Sequence, residues 1–255
     1  MEPSVAHQRA FGNATQKPSL VQMFAKEFGS CPMGQIPIHH ASKHNYNLGT
    51  NEFIMKKEAG YTKKFATPQT LSGIETHQAD GYNKTGCCNL KCPGFVQVSN
   101  TIVLEGVLAQ STSKSSQQEL EFLVFQDQKT KNWWLRLAGT YVGYWRDSFL
   151  QDFRLGATEV ASGGEIYYDK MNGVRHTRTQ MGSGRFPSAS FRYAAYHRKI
   201  QTVKQDFKLY DATSLGRWIV AAPGCYNVGD PTYNDTNWAT FFFFGGPGYN
   251  PASCP

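Results

Sequence analysis

The sequence contains no long apolar run. A membrane-spanning helix needs about 18 or more consecutive apolar residues, and the 255 residues of this chain include no such stretch. The first residues, MEPSVAHQRAFGNATQKPS, also lack the apolar core of a secretory signal peptide. We therefore expect no membrane partner, and no signal peptide is visible in this chain.

Nucleic-acid-binding motifs are missing as well. The formal net charge of +7 comes from scattered pairs such as Lys56-Lys57 and Arg198-Lys199. No basic helix accompanies these pairs, so they indicate a basic surface and not a groove for DNA or RNA. We expect no nucleic-acid partner, although a field of this sign attracts acidic partners weakly.

The cysteines lack the spacing of a zinc ribbon. Cys87 and Cys92 are five residues apart, which can close a small loop. Cys225 and Cys254 lie near the end of the chain, where a bridge would pin the final strand. Because C-x4-C without a second spaced pair is not a normal zinc site, we predict disulfides Cys87–Cys92 and Cys225–Cys254. We expect neither a metal nor another cofactor. Two cysteines are left over, as free thiols or as a third pair: Cys31 and Cys88.

What the chain has in abundance is β-forming sequence. It contains 17 Phe, 13 Tyr and 24 Gly, a blend that favours strands with many turns. Short strand candidates separated by turn residues predict an antiparallel, jelly-roll-like β-sandwich. The candidates are Thr101–Ala109, Glu119–Asp127, Asn132–Leu137, Tyr141–Trp145, Gly164–Asp169, Phe191–Tyr196, Thr202–Leu209, Arg217–Ala222 and Thr240–Phe244.

Local patterns add three finer expectations. Asp147–Leu155 is the one plausible helix, with Asp147 as its N-cap. The apolar run Phe241–Phe244 predicts a strand buried on both faces. Adjacent Trp133 and Trp134 should point to opposite faces, one into the core and the other towards a groove.

One carboxylate stands in an unusual setting, the stretch ASGGEIYYDK. Glu165 follows Gly163-Gly164 directly at the start of a strand-like run. Alternation places it on one face with Tyr167 and Asp169. A strand glutamate by itself is most often a solvated side chain, so the rest of the chain must decide its role.

A serine nucleophile is not supported. Ser183 stands in Gly182-Ser183-Gly184, but a nucleophile elbow needs G-x-S-x-G, and Met181 and Arg185 fill the outer positions. We interpret this segment as a glycine-rich turn.

Several segments together resemble the neprosin family of plant secreted proteins. They are DGYNKTGCCNLKCPGFVQV (80–98), WWLRLAGTYVGYW (133–145), SGGEIYYD (162–169), HTRTQMGSGRFP (176–187) and FFFFGGPGYNPASCP (241–255). GSCPMGQIPI (29–38) is similar to the end of that family's N-terminal activation segment. The resemblance implies three units: a poorly ordered activation-segment remnant over 1–45, a degenerate linker or partial strands over 46–79, and the catalytic domain over 80–255.

The resemblance also implies a function. Members of the family are secreted glutamic endopeptidases with a β-sandwich fold, which cleave after proline with a water activated by two glutamates. Glu165 falls on the glutamate of the family's W-G-G-E motif, with Ser162 in place of the tryptophan. The family's disulfides fall on the two pairs given above. The implied partner is a proline-containing peptide or protein.

The second glutamate of the pair is harder to assign. Leu71–Glu75 matches the start of the family's S-I-E-A-G-W-Q-V segment, which makes Glu75 the candidate, but the residues that follow depart from it. Two functions therefore stay open: an active peptidase, and a non-catalytic secreted module that binds carbohydrate or peptide. Three N-glycosylation sequons occur, at Asn13, Asn83 and Asn234. Like the predicted disulfides, they are typical of secreted proteins.

Overall fold

The computed structural model describes residues 2–4, 50–56, 94–102, 104, 108, 111–150, 153–166, 176–216 and 222–254. Every strand pair in these ranges is antiparallel, so the predicted all-β antiparallel fold is confirmed. No helix in the described ranges has the length and apolarity to cross a membrane. The strands are β1 (Thr50–Lys56), β2 (Phe95–Gln97), β3 (Phe122–Gln126), β4 (Trp133–Leu137), β5 (Thr140–Trp145), β6 (Glu159–Glu165), β7 (Ala195–His197), β8 (Gln201–Val203), β9 (Leu209–Asp211), β10 (Asn227–Val228), β11 (Thr232–Asp235) and β12 (Ala239–Gly245).

The first large sheet has the order β2-β5-β4-β3 and is buried on both faces. Leu135, Leu137 and Val142 belong to the hydrophobic cluster of one face. Phe125, Trp134 and Tyr144 form the cluster of the other. This double burial explains why strands β3 to β5 read as apolar runs with few polar interruptions.

The expectation for the two tryptophans is wrong in one respect. Trp133 and Trp134 are only 5% and 1% exposed, so neither lines a groove. The ring of Trp134 packs against Tyr144 at 4.8 Å. The ring of Trp133 meets the edge of Phe153, in the segment that follows β5, at 6.2 Å. Both faces of the strand are therefore covered, which the sequence of the strand alone does not reveal.

The second large sheet is built around β12, which pairs with β10, β11 and β7. Phe242 and Phe244 are buried, whereas Phe241 and Phe243 are partly exposed. The prediction of a strand buried on both faces is therefore wrong. One face of β12 packs on the core, and the other carries a separate set of aromatic rings.

A disulfide closes the C-terminal end of this sheet. Cys225 and Cys254 are joined across 29 residues, with their Cα atoms 5.0 Å apart, and both are buried in the cluster that contains Phe242 and Phe244. This is the pairing expected from the sequence. The other four cysteines, Cys31, Cys87, Cys88 and Cys92, lie outside the described residues, so the Cys87–Cys92 bridge stays a prediction.

Two local predictions change in the structure. Within the described part of Asp147–Leu155 the expected α-helix does not form: Asp147–Phe149 is a 3-10 turn, and Phe153 is again in 3-10 conformation. The Asp147 carboxylate accepts hydrogen bonds from Arg154 and does not cap the turn. The strand expected over Thr202–Leu209 is the hairpin β8–β9. Phe207 has φ of 60° in the turn of this hairpin, and the Asp206 carboxylate accepts the amide hydrogen of Lys208.

The start of the chain lies against the β3–β4 hairpin. The amide nitrogen of Ser4 donates to Asp127 Oδ2 at 2.6 Å, and Pro3 is buried. Asp127 also accepts the amide hydrogens of Lys129 and Thr130. A fully buried carboxylate is stable here because neighbouring donors replace the water that it has lost.

Candidate functional site

The Gly-Gly-Glu motif forms the end of strand β6. Glu165 is the last residue of this strand, and its backbone pairs with that of Thr50 at the start of β1. The two strands stay in register along their whole length, as far as Lys56 opposite Glu159. Sequence reasoning allowed only a linker or partial strands in this region; the available signal was the short apolar run Phe53-Ile54-Met55.

Gly164 is required by close packing. A Cβ atom at this position would lie 2.8 Å from the Met181 side chain and 2.9 Å from the Phe244 ring. Real Cβ atoms do not approach other atoms so closely, so only glycine lets β6 lie flat on β12. The glycine therefore sets how closely the strand that ends in Glu165 approaches Met181 and Phe244.

Gly163 has a different environment. A Cβ atom here would meet no atom of the described residues within 4 Å. Alternation assigns positions 163 and 165 to the face of β6 opposite to that of Gly164. Among the described residues, none fills the space beside Gly163 on the strand face that position 165 shares.

His197 on β7 holds the motif strand from the side of the core. Its Nε2 lies 3.4 Å from the carbonyl oxygen of Gly163, to which the neutral imidazole donates through Nε2–H. Its ring stacks on Phe244 with centroids 5.0 Å apart and also contacts Phe242. Burial lowers the pKa of the imidazole from 6.5 to about 4, although the hydrogen bond to Gly163 acts in the opposite direction. The ring is therefore neutral at physiological pH.

Sequence reasoning missed His197. The predicted strand Phe191–Tyr196 ended one residue before it, and the histidine stands in the polar stretch Tyr196–Lys199. Nothing in that stretch indicates a partly buried ring, because the partners of His197 come from β6 and β12. The one available signal was its place at the end of a strand candidate.

The two predicted catalytic glutamates differ in what the structure describes. For Glu165 it gives the backbone position, opposite Thr50 at the last pair of the β1–β6 ladder. The side chain of Glu165 and the whole of Glu75 lie outside the described part of the molecule. The pairing of these two carboxylates stays a prediction.

One cluster of metal-ligating residue types includes the disulfide. The ligand atoms of His176, Cys225 and Cys254 lie within 4.8 Å of one another. However, the two sulfurs are bonded to each other, and a metal requires thiolates. His176 alone remains of this set, with its ring edge on Tyr226, so the group is structural.

Ser183 also has a structural role. Its hydroxyl donates to the carbonyl oxygen of Tyr193, and the glycines on either side adopt φ of 60° and 74°. These left-handed conformations agree with the interpretation as a glycine-rich turn.

A comparison with protein families identifies the relatives of this chain. The family model described as Neprosin matches residues 40–247, which is most of the chain and includes every described strand from β1 to β12. The match begins upstream of residue 80, where the resemblance of individual motifs began. The division at residues 45 and 79 stays a prediction. The chain belongs to the neprosin family.

Proposed function

We propose that the protein is a secreted glutamic endopeptidase that cleaves peptide bonds after proline. The observation that carries the proposal is the setting of the motif strand. Gly164 lets β6 pack closely against Met181 and Phe244, and His197 donates to the Gly163 carbonyl. A Cβ atom at Gly163 would meet no atom of the described residues within 4 Å. Membership of the neprosin family supports this choice of reaction.

The reaction needs two carboxyl groups in different protonation states. One, ionised, takes a proton from the attacking water, and the other, protonated, donates to the carbonyl oxygen or to the leaving amine. Two carboxyl groups held close together supply both forms, because each charge raises the pKa of its neighbour. We assign these roles jointly to Glu165 and Glu75.

The glycine at position 163 fits a substrate that approaches as an extended chain. A residue without a side chain allows the backbone of a ligand to come close to the backbone of the enzyme. A proline-containing segment would lie over this face with its scissile carbonyl near the end of β6. Any larger residue at 163 would occupy that space.

The disulfide supports a secretory location. Disulfides persist in oxidising compartments and are rare in the cytosol. The Cys225–Cys254 bridge is buried and ties the last residues to the sheet. A chain that passes through an oxidising compartment would form this bridge as it folds.

The test compares three glutamine variants at acid pH on a proline-containing peptide. Glu165→Gln and Glu75→Gln should each lower the rate about 100-fold or more, since each removes one acid–base group. Glu159→Gln is the matched control, because it removes a carboxylate from the other end of the same strand. It should retain wild-type activity.

The outcomes separate the two open functions. Cleavage by Glu165→Gln at the wild-type rate would overturn the proposal. If the folded wild-type protein does not cleave the peptide but binds it, a non-catalytic binding module takes its place. Unchanged circular dichroism of each variant is the control for folding.

A further inference from the structure

The hairpin between β11 and β12 carries one of the three sequons. Asn234-Asp235-Thr236 matches the N-x-T acceptor pattern, which is typical of surface loops in secreted proteins. Both Asn234 and Thr236 are exposed. The other two sequons, at Asn13 and Asn83, lie outside the described residues.

Asn234 occupies a bulge at the end of β11. The register passes from Thr232 opposite Phe241 to Asp235 opposite Ala239, so β11 has one residue more than its partner in this interval. Asn234 itself has φ of 56°. Asparagine tolerates this left-handed conformation better than most residues, and a bulge turns the local chain away from the regular ladder.

The turn does not use the side chain of Asn234. Instead, Asp235 Oδ1 accepts the amide hydrogens of Asn237 at 2.9 Å and Trp238 at 2.7 Å. Within the described part of the chain, the side-chain amide of Asn234 makes no hydrogen bond. A group attached to its nitrogen would therefore break no contact of the hairpin.

An aromatic surface adjoins this turn. Trp238 is its centre, with ring centroids 4.7 Å from Tyr196 and 5.0 Å from Phe191, and Phe191 is 41% exposed. The other rings around Trp238 are partly buried, so the cluster keeps some accessible apolar area. The aromatic surface consists of Phe191, Tyr196, Trp238, Phe241 and Phe243.

We propose that Asn234 is an N-glycosylation site and that its glycan covers the aromatic surface. Pyranose rings have an apolar C–H face that packs on aromatic rings, and an oligosaccharide attached at Asn234 begins four residues before Trp238. Arg198, whose guanidinium lies 5.6 Å from the Trp238 ring centroid and is paired with Glu119, borders this surface. The inference relies on passage through the secretory pathway, and not on peptidase activity.

The group transfer is balanced. The side-chain nitrogen Nδ2 of Asn234 attacks the anomeric carbon C1 of an oligosaccharide carried on a lipid diphosphate. The bond between C1 and the diphosphate oxygen breaks as the Nδ2–C1 bond forms. The lipid diphosphate leaves with the bonding electrons, and one amide proton passes to a base of the transferase.

The first experiment measures occupancy. The full chain is secreted from a eukaryotic host behind a heterologous signal peptide, and peptide-N-glycosidase treatment in heavy-oxygen water marks each glycosylated asparagine as labelled aspartate. We expect the label at Asn234. Asn234→Gln and Thr236→Ala should each lose one glycan in a gel-mobility assay. Asn237→Gln, in the same turn but outside a sequon, should lose none. An unlabelled Asn234 peptide from the secreted protein would overturn the proposal.

The second experiment tests the covering of the aromatic surface. Binding of an apolar fluorescent dye is compared between Asn234→Gln and Asn237→Gln, both purified from the same host. We expect higher dye fluorescence for Asn234→Gln, and a smaller increase when Trp238→Ala is combined with it. Equal fluorescence of the two single variants would overturn the covering role. Because neither readout involves cleavage, failure here is distinct from failure of the peptidase proposal.

Discussion

Protonation of His197 should control how the stability of the fold changes in acid. The imidazole is enclosed by Phe242 and Phe244 and donates to the carbonyl oxygen of Gly163. Burial disfavours its charged form and lowers its pKa to about 4. The perturbation of choice is His197→Phe, which keeps an aromatic ring between the two phenylalanines but cannot take up a proton.

The sign and size follow from the difference between the two states. In the unfolded chain the imidazole protonates near pH 6.5, whereas in the folded protein it protonates only near pH 4. The unfolded state thus binds more protons between these two pH values. The contribution of His197 to the free energy of unfolding is therefore complete above pH 6.5 and is lost as the pH decreases towards 4. At about 1.4 kcal/mol for each pKa unit, the loss is about 3 kcal/mol.

The assay is urea unfolding at pH 7 and pH 4. The free energy of unfolding of the wild-type protein should fall by about 3 kcal/mol more than that of His197→Phe over this interval. His176→Phe serves as the control for loss of another partly buried histidine. If the wild-type protein and His197→Phe lose the same free energy, the reasoning about burial at this position is refuted.

The two glycines and the disulfide give further predictions. Gly164→Ala should lower the free energy of unfolding by about 1–3 kcal/mol, because the added methyl group is forced into the packed contact with β12; thermal unfolding measures this. Gly163→Ala, its matched control, should leave the melting temperature nearly unchanged while lowering kcat/KM, and a large loss of stability would contradict the open face. Replacing Cys225 and Cys254 by serine should cost about 2–5 kcal/mol, and a reducing agent should lower the melting temperature of the wild-type protein more than that of this variant, which keeps the predicted Cys87–Cys92 bridge.

Strand positions could be predicted where the signal is local. Strands β4 and β5 were found almost to the residue, since two apolar runs flank the turn at Gly139, whose φ is 81°. The prediction of a helix with Asp147 as its N-cap was wrong because other partners engage the groups of Asp147 that would cap it. The Asp147 amide donates to Asn132 Oδ1, and its carboxylate pairs with Arg154.

The burial of individual strand faces and the surroundings of Glu165 were harder to predict, because both depend on contacts between distant parts of the chain. The run Phe241–Phe244 does not reveal what covers each face of a strand, and here the core covers one face only. The motif located Glu165 in the sequence and the structure located it on β6. Its strand partner β1 and the supporting His197 come from distant parts of the chain, where no nearby pattern indicates the contact.

The pairing of β1 with β6 has a consequence for the order of folding. It brings residue 50 next to residue 165, whereas β3, β4 and β5 pair with their immediate neighbours in sequence. Contacts between distant residues must overcome a larger loss of chain entropy and therefore form later than local hairpins. The strand that ends in Glu165 should thus reach its final position only when most of the chain is folded. A partly folded chain would contain the hairpins without the assembled β1–β6 pair, which would delay any activity that depends on Glu165 until folding is nearly complete.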